Sequence, residues 1–406
     1  MMIRLAGLRP RGDQLRLFAT ALGIGVCLLA QAKLSRGFSM AKVFALNFII
    51  FLSLILIAGC GQGGSSSSST PKPSPTPSPT PLGSWTLIST PLAAPQIRDF
   101  AINKLNHWFI SDRKTGFFRS TDQGGTWTQI NSGIALTNGW TISYDSAHDQ
   151  LIAGSASNGL GTGTFAGFYR STDEGNSWIK IPVAFTFSLA TTYGGPLFVP
   201  NGNIIFGGFW SPYPYCGAWV STDGGQSTSP VNCSLLATGA WGLMYNPITN
   251  DLWMGTETEG AYRSTDNGFN WNQVSPSSKL IRDGDAEALS YDNAGNVLMG
   301  TQGGIWRSSG SNGSYTWANI VPNGNTSATR TIFRDNNGDF YYGHGRDAKN
   351  PTSVYLSTDQ AAHWSPSDTG IPPGLEAWHF IRNPADGRLY VNVQDGKTND
   401  GWIYVR

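Results

Sequence analysis

Charged side chains are scarce in this chain: Asp, Glu, Lys and Arg make up 13% of its 406 residues. It also lacks basic runs. Seven of its 27 Lys and Arg fall in residues 1–59 beside one acidic residue, leaving 20 basic against 25 acidic side chains beyond. A mature body near a charge of about −5 excludes nucleic acid as an expected partner, because phosphate neutralisation needs clustered cations. Cysteine is rare as well. Of four in total, only Cys216 and Cys233 lie in the body, so neither a disulfide-dense scaffold nor a zinc spacing is present. No Ser/His/Asp signature, phosphate loop or nucleotide fingerprint occurs, and no cofactor or metal is expected. Tryptophan is absent from the first 84 residues, although the chain holds 15.

What is abundant sits beyond that point. Fifty glycines and a 12% aromatic content describe an all-β body with many tight turns. The region before it reads as an address. Met40-Ala41-Lys42 precedes an apolar run from Val43 to Ile57 and the small residues Ala58-Gly59 before Cys60, the layout of a secretory signal. Residues 1–39 then read as an upstream extension ahead of the true start, and 40–59 as the signal peptide. Residues 60–82 are a Ser, Gly and Pro-rich tether, flexible coil passing into polyproline II.

The body, 83–406, repeats. GFFRSTDQGGTWTQI (116–130), GFYRSTDEGNSWIKI (167–181), GAWVSTDGGQSTSPV (217–231) and GAYRSTDNGFNWNQV (260–274) align, with weaker copies at 304–320 and 353–367. Their leading serines, Ser120, Ser171, Ser221, Ser264, Ser308 and Ser357, recur every 43 to 51 residues, the length of one four-stranded propeller blade. Three further strand-like segments follow copy six, and GSWTLIST (83–90) has the form of the strand they lack, with Trp85 aligning with Trp127. The arithmetic predicts a seven-bladed β-propeller of four-stranded antiparallel blades, closed by pairing the N-terminal strand with the three C-terminal ones. A monomer is expected.

In the four stronger copies a Ser-x-Asp-x-Gly turn joins the last two strands. Asp122, Asp173, Asp223, Asp266 and Asp359 are expected to accept turn N–H groups, with Gly supplying positive φ and Trp covering the hairpin. These Asp read as structural. Copy five lacks the Asp and has two extra residues, copy six has Ala361 for Gly, and copy three has Thr228 for Trp. Cys216 and Cys233 flank the third hairpin symmetrically, which predicts a disulfide in an exporting compartment.

The turn resembles the Asp-box, or bacterial neuraminidase repeat, and Ile57-Ala58-Gly59-Cys60 resembles the bacterial lipoprotein box. The second resemblance implies acylation of Cys60, an anchor in a bacterial membrane and a body facing the periplasm or cell exterior. The first implies a propeller with its boxes on the rim, away from any active site. Sialidases share it, but Gln96-Ile97-Arg98-Asp99 departs from their Arg-Ile-Pro motif. Xyloglucan-cleaving endoglucanases place paired Asp between two propellers, and one is visible here. The photosystem II assembly and stability factors, single seven-bladed propellers without catalysis, match in length, anchor and blade number. The expected function is therefore a membrane-tethered, non-catalytic binding or scaffolding propeller; the alternative is a glycan-active propeller, a glycoside hydrolase or carbohydrate binder.

Propeller ligands gather on the face formed by loops leading into the inner strands and by those joining strands two and three. The first set supplies Arg98, Asp99, Trp140, Trp241, Asp283, Asp285, Glu287, Arg330, Glu376, Trp378 and His379. The second supplies Asp112, Arg113, Trp210, Tyr213, Tyr215, Glu257, Glu259, His344, Arg346 and Asp347. Arg98, Arg346, Trp140, Trp210, Trp241 and Trp378 are the candidate ligand contacts. Glu257, Glu259, Asp283, Asp285 and Glu287 are the candidate catalytic carboxylates, since two could divide acid and nucleophile roles in glycoside hydrolysis.

Overall fold

Each repeat forms an antiparallel sheet in which burial falls from the second strand outward. In blade 4 the strands are Ala240–Asn246, Asp251–Thr256, Ala261–Ser264 and Asn270–Gln273. The second, Asp-Leu-Trp-Met-Gly-Thr, is buried at all six positions because a neighbouring blade covers each of its faces. The fourth strands of blades 1 and 2 are two-residue segments, Thr128–Gln129 and Ile179–Lys180, exposed at both positions. The structure is a computed structural model and describes residues 83–406 except 91, 93–94, 136, 157–166, 184–194, 209–216, 234–238, 258, 276–285, 312, 321–327 and 346–349. Among the described residues there are strands and no helix.

Seven sheets follow one another, and seven apolar clusters fill the seams between them. Phe109, Phe117 and Ile130 of blade 1 meet Leu151, Tyr169 and Trp178 of blade 2. The last seam closes blade 7 on blade 1 through Tyr390, Ile403 and Val405 against Phe100, Trp108 and Ile110. Thr86–Leu87 supplies the outermost strand of blade 7, in the order Thr86–Leu87, Gly401–Val405, Leu389–Gln394, Glu376–Arg382. Thr86 faces Val405 and Leu87 faces Tyr404. The Arg406 guanidinium stacks 4.6 Å from the Trp85 ring and 5.2 Å from Tyr341. The closure read from the sequence is the closure observed.

At the rim the Ser-x-Asp-x-Gly turns repeat one set of bonds. In blade 1 the Ser120 hydroxyl donates to Asp122 Oδ1 at 2.8 Å and accepts the Gly124 amide at 2.8 Å. The Thr126 amide and hydroxyl each donate to the carboxylate at 2.7 Å. Asp173, Asp223, Asp266 and Asp359 take the equivalent amides of Ser177, Ser227, Asn270 and His363. Two successive residues have positive φ, the second being Gly in four copies and Ala361 (φ 62) in blade 6. Blade 5, without the Asp, extends its hairpin into a longer ladder, Gly304–Ser311 on Ser314–Asn319.

The Trp of this turn has a role that the sequence did not suggest. Its indole N–H reaches the preceding blade in two copies: Trp178 donates to Ile130 O at 2.6 Å and Trp317 to Val274 O at 3.2 Å. Trp85 does the same from the closing strand, to Ser367 O of blade 6 at 2.7 Å. Where blade 3 has Thr228, its hydroxyl donates to Pro182 O at 2.8 Å. In these blades the hairpin residue is a clasp to the blade before; in blade 4 the Trp271 indole instead donates to Gly268 O of its own turn at 2.8 Å. Blade 4 also departs from four strands: Asn232–Cys233 adds a short parallel strand to Asn270–Gln273, with Cys233 opposite Trp271. Cys216 lies outside the described residues, as does Cys60.

Candidate functional site

The innermost strands share an irregularity that builds the site. In six blades the pairing to the second strand slips by one residue: between Ile97 and Asp99, Gly139 and Thr141, Ala240 and Gly242, Ala286 and Ala288, Thr329 and Thr331, and Ala377 and His379. The residues skipped are Arg98, Trp140, Trp241, Glu287, Arg330 and Trp378. A β-bulge leaves its residue out of the ladder and turns the side chain away from the pleat. Because the innermost strands ring the propeller axis, the bulges deliver these six side chains to one end of it.

They meet there. The Arg98 guanidinium lies 4.4 Å from the Trp140 ring and 4.0 Å from Trp378, and Arg330 lies 4.7 Å from Trp378. Arg113 adds a further guanidinium 4.9 Å from Trp140. The result is an alternating stack, Arg113–Trp140–Arg98–Trp378–Arg330, joining blades 1, 2, 6 and 7. Such contacts contribute about 0.5–2 kcal/mol each, more as water is excluded. Arg98 also donates to Gln394 Oε1 at 2.8 Å. Arg330 Nη1 spans both oxygens of Glu287 at 2.7 and 2.8 Å, and its Nε lies 3.4 Å from Glu376.

Glu287 is 3% exposed and Glu376 4%. Burial raises the Glu287 pKa above its ordinary value; Arg330 opposes the rise, Glu376 adds to it, and Arg98 opposes it. Of the five carboxylates singled out in the sequence, Glu287 alone is placed at the axis by a described bulge, and the carboxylate beside it is Glu376 of blade 7. Glu257 and Glu259 follow the second strand of blade 4. The Glu257 amide donates to Gly239 O at 3.2 Å, and Glu259 O accepts from Gln273 Nε2 at 2.6 Å. Asp283, Asp285, Trp210 and Arg346 lie outside the described residues.

One layer deeper, Asp99 and His379 join blades 1 and 7. Asp99 accepts the Thr141 hydroxyl at 2.7 Å and the amides of Phe100 and Ile142 at 2.9 and 3.0 Å. Its other contact is the Nδ1 of His379, whose ring lies 5.7 Å from Phe100. An acceptor already receiving three N–H or O–H bonds takes a further one from Nδ1, so the Nδ1 nitrogen carries a proton toward Asp99. His379, Glu287 and Arg330 all line a cavity of about 180 Å³ on the axis.

Two glycines explain how the bulges come so close. A Cβ on Gly255 would strike the carbonyl of Ala286, just before Glu287, and one on Gly343 would strike that of Ala377, just before Trp378. Each therefore lets its second strand lie against the next blade's bulge. The sequence held a sign of the bulges. Arg98-Asp99-Phe100, Trp140-Thr141-Ile142, Trp241-Gly242-Leu243, Glu287-Ala288-Leu289, Arg330-Thr331-Ile332 and Trp378-His379-Phe380 align as one triplet, a long side chain ahead of an apolar anchor. Among the described residues no cluster of His, Cys, Asp or Glu suits a metal ion.

No family model matches the chain. Over 366 residues it is 26% identical to a xyloglucanase of Hypocrea jecorina, covering 70% of this chain and 41% of that protein. Over 267 residues it is 26% identical to a xyloglucanase of Paenibacillus sp., covering 62% and 22%. The chain thus spans less than half the length of either relative. Among solved structures, YCF48 bound to D1 peptide superposes with a TM-score of 0.55 at 14% identity, covering 80% of this chain and 96% of that one. The GH74 xyloglucanase from Xanthomonas campestris superposes at 0.58 and 15% identity, covering 77% and 52%. At these identities the two structures share the seven-bladed fold with this chain.

Proposed function

We propose that this chain is an exported lipoprotein, acylated at Cys60 and held off a bacterial membrane by residues 60–82, whose propeller binds a partner at the axial end without catalysis. The observation that carries this reading is the commitment of Glu287 and Glu376 to one guanidinium. Glycoside hydrolysis needs one carboxyl poised to give a proton and a second poised to attack or to activate water. With Arg330 between them, these two neutralise a cation. A ring of large side chains held by stacking and ion pairs is a preorganised binding surface. YCF48 bound to D1 peptide is a precedent for a propeller of this shape receiving a polypeptide.

The test is a turnover screen of the purified chain on xyloglucan, β-glucans and sialosides, beside Glu287→Gln and Glu257→Gln. No turnover is expected. Turnover lost in either variant with folding intact would replace the binding reading by the glycan-active one, which the match over 366 residues to a xyloglucanase favours. The anchor is tested separately. Cys60→Ser is expected to abolish labelling by a fatty-acid probe and to move the protein out of the membrane fraction.

A further inference from the structure

We infer that the outer edge of blade 5, Ser314–Asn319, is where a second copy of this chain pairs strand to strand. The contact is independent of the axial site and contrary to the monomer expected from the sequence. An open sheet edge offers unpaired N–H and C=O groups to other chains, and folds blunt it by brevity, by Pro or charge, or by a cover. Blades 1 and 7 end in two-residue strands, Thr128–Gln129 and Thr86–Leu87. The outer strand of blade 2 carries Lys180, and those of blades 3 and 6 carry Pro230 and Pro366. Blade 4 has four residues there, Asn270–Gln273, and the parallel strand Asn232–Cys233 covers them. Blade 5 uses none of these devices. Its outer strand, Ser-Tyr-Thr-Trp-Ala-Asn, runs six residues, and no described strand lies beyond it. Residues 308–329 contain no Asp, Glu, Lys or Arg.

The register shows what this edge presents. The Ile320 amide bonds inward, to Ile305 O at 2.8 Å. Backbone bonds alternate along an antiparallel pair, so Ala318 opposite Arg307 and Thr316 opposite Ser309 also point inward. Tyr315 and Trp317 therefore direct their N–H and C=O groups outward, and these find no partner among the described residues. Their rings hold the strand in place. Tyr315 and Trp317 meet Trp253 of blade 4 edge-on at 5.2 and 6.3 Å, and the Trp317 indole donates to Val274 O. An edge fixed in this way has little order left to lose on pairing.

Self-complementarity points to a copy of the same strand as the occupant. Antiparallel pairing about a two-fold axis at Thr316 sets Tyr315 of each copy opposite Trp317 of the other, an exchange of about four backbone hydrogen bonds. The exposed row Ser314, Thr316 and Ala318 then faces its own copy, Thr316 on Thr316 and Ser314 on Ala318. Thr on Thr is a favourable cross-strand pair, and no like charges meet along this strand. The contact also closes on itself. Each copy has one such edge among its described residues, so a two-fold pairing consumes both and stops at a dimer.

The experiment is oxidative cross-linking of the full chain in its membrane, with copper phenanthroline and air as the oxidant. Thr316→Cys places two thiols on a non-hydrogen-bonded pair whose Cα atoms lie about 4.5 Å apart, within reach of a disulfide. A non-reducing gel is expected to show most of that variant at twice the chain's mass. Thr128→Cys, on the exposed outer strand of blade 1, is expected to add nothing to what the parent's own cysteines give. Ser314→Cys combined with Ala318→Cys leaves Thr316 in place, is expected to link as well, and carries the test if Thr316→Cys fails to fold. Thr316→Lys sets two ammonium groups face to face. Sedimentation velocity in detergent is expected to find the parent dimeric and the dissociation constant of this variant raised by about tenfold. A monomeric parent, no linkage from either cysteine design, equal linkage from Thr128→Cys, or an unchanged Thr316→Lys dimer would overturn the inference. So would a linked product of any other mass, which would give the edge to a different polypeptide.

Discussion

The rim and the axis of this propeller are built from the same repeat, yet they use it in opposite ways. At the rim five turns place Ser, Asp and the following amides in one arrangement, and the copies that depart from it are repaired. Thr228 supplies the hydroxyl donor where Trp is missing, and blade 5 lengthens its ladder where Asp is missing. At the axis six bulges share a backbone position, and the side chains there are Arg98, Trp140, Trp241, Glu287, Arg330 and Trp378. A repeat keeps the chemistry every blade needs in order to fold and varies what only one ring of contacts needs. Uniformity marks structure, and variation on a uniform backbone marks the site.

The comparison is broken most severely by opening the ring. Deleting 83–90 removes the Thr86–Leu87 pairing, the Trp85 clasp and the ring that Arg406 covers. We expect loss of most of the folding stability, several kcal/mol, because each blade is stabilised mainly by its neighbours. Deleting 61–81 is expected to leave the melting temperature unchanged. Equal losses from the two deletions would refute closure by the N-terminal strand.

The axis is expected to respond next. Arg330→Ala strands two carboxylates that are 3% and 4% exposed, and breaking a buried pair from one side costs about 3–5 kcal/mol. Denaturant unfolding measures it. A cost within about 0.5 kcal/mol would mean that the axial ion pairs are effectively solvated, contrary to their burial.

Acid sharpens the contrast, because rim and axis titrate with opposite sign. The Thr126 amide and hydroxyl and the Ser120 hydroxyl hold Asp122 at about 2. Asp223 is also held at about 2: burial pushes it up, and the Ser227 hydroxyl and amide outweigh that. A depressed carboxyl stabilises the fold above its unfolded value near 3.8 and loses that contribution as pH falls toward about 2. Glu287 is raised by burial, so its ionised form opposes folding, and lowering the pH through its folded value relieves the cost. Melts are expected to show stability lost between about pH 4 and 2 in the parent and in Glu287→Gln alike. The variant is expected to be flatter than the parent above pH 4.5, where the Glu287 charge develops.

Much of this was legible in the sequence, for a physical reason. The blade count follows from serine spacing and from the match of Trp85 to Trp127, both properties of local strand chemistry. The long side chains of the axial triplets fell within the loops leading to the inner strands, so all six were candidates. What could not be read is what depends on neighbours. Arg330 reaches both Glu287 and Glu376 because blade 6 stands between blades 5 and 7, an adjacency that pairs residues far apart in the chain. The partners of Trp178 and Trp317 lie 48 and 43 residues away, one blade back, so a reading of the hairpin alone gave these Trp a local covering role. The guanidinium stack on Trp140 and Trp378 was hidden for the same reason.

The smallest effect tests whether the clasp is a matter of hydrogen bonding. Thr228 donates to Pro182 O at 2.8 Å on a half-exposed surface, where water can replace part of what is lost. Thr228→Val keeps the shape, removes the donor and is expected to cost about 0.5–1 kcal/mol. Trp178→Phe removes the equivalent donor to Ile130 O at 2.6 Å from a buried ring, so it leaves a carbonyl unsatisfied and a gap beside Phe117, and should cost about 2–3 kcal/mol. Thr228→Trp restores the usual residue of the turn. If the position acts by donating a bond to the preceding blade, that variant is expected to melt within a degree or so of the parent. A Thr228→Val variant as stable as the parent, together with a destabilised Thr228→Trp, would make blade 3 an exception to the clasp rather than a variant of it.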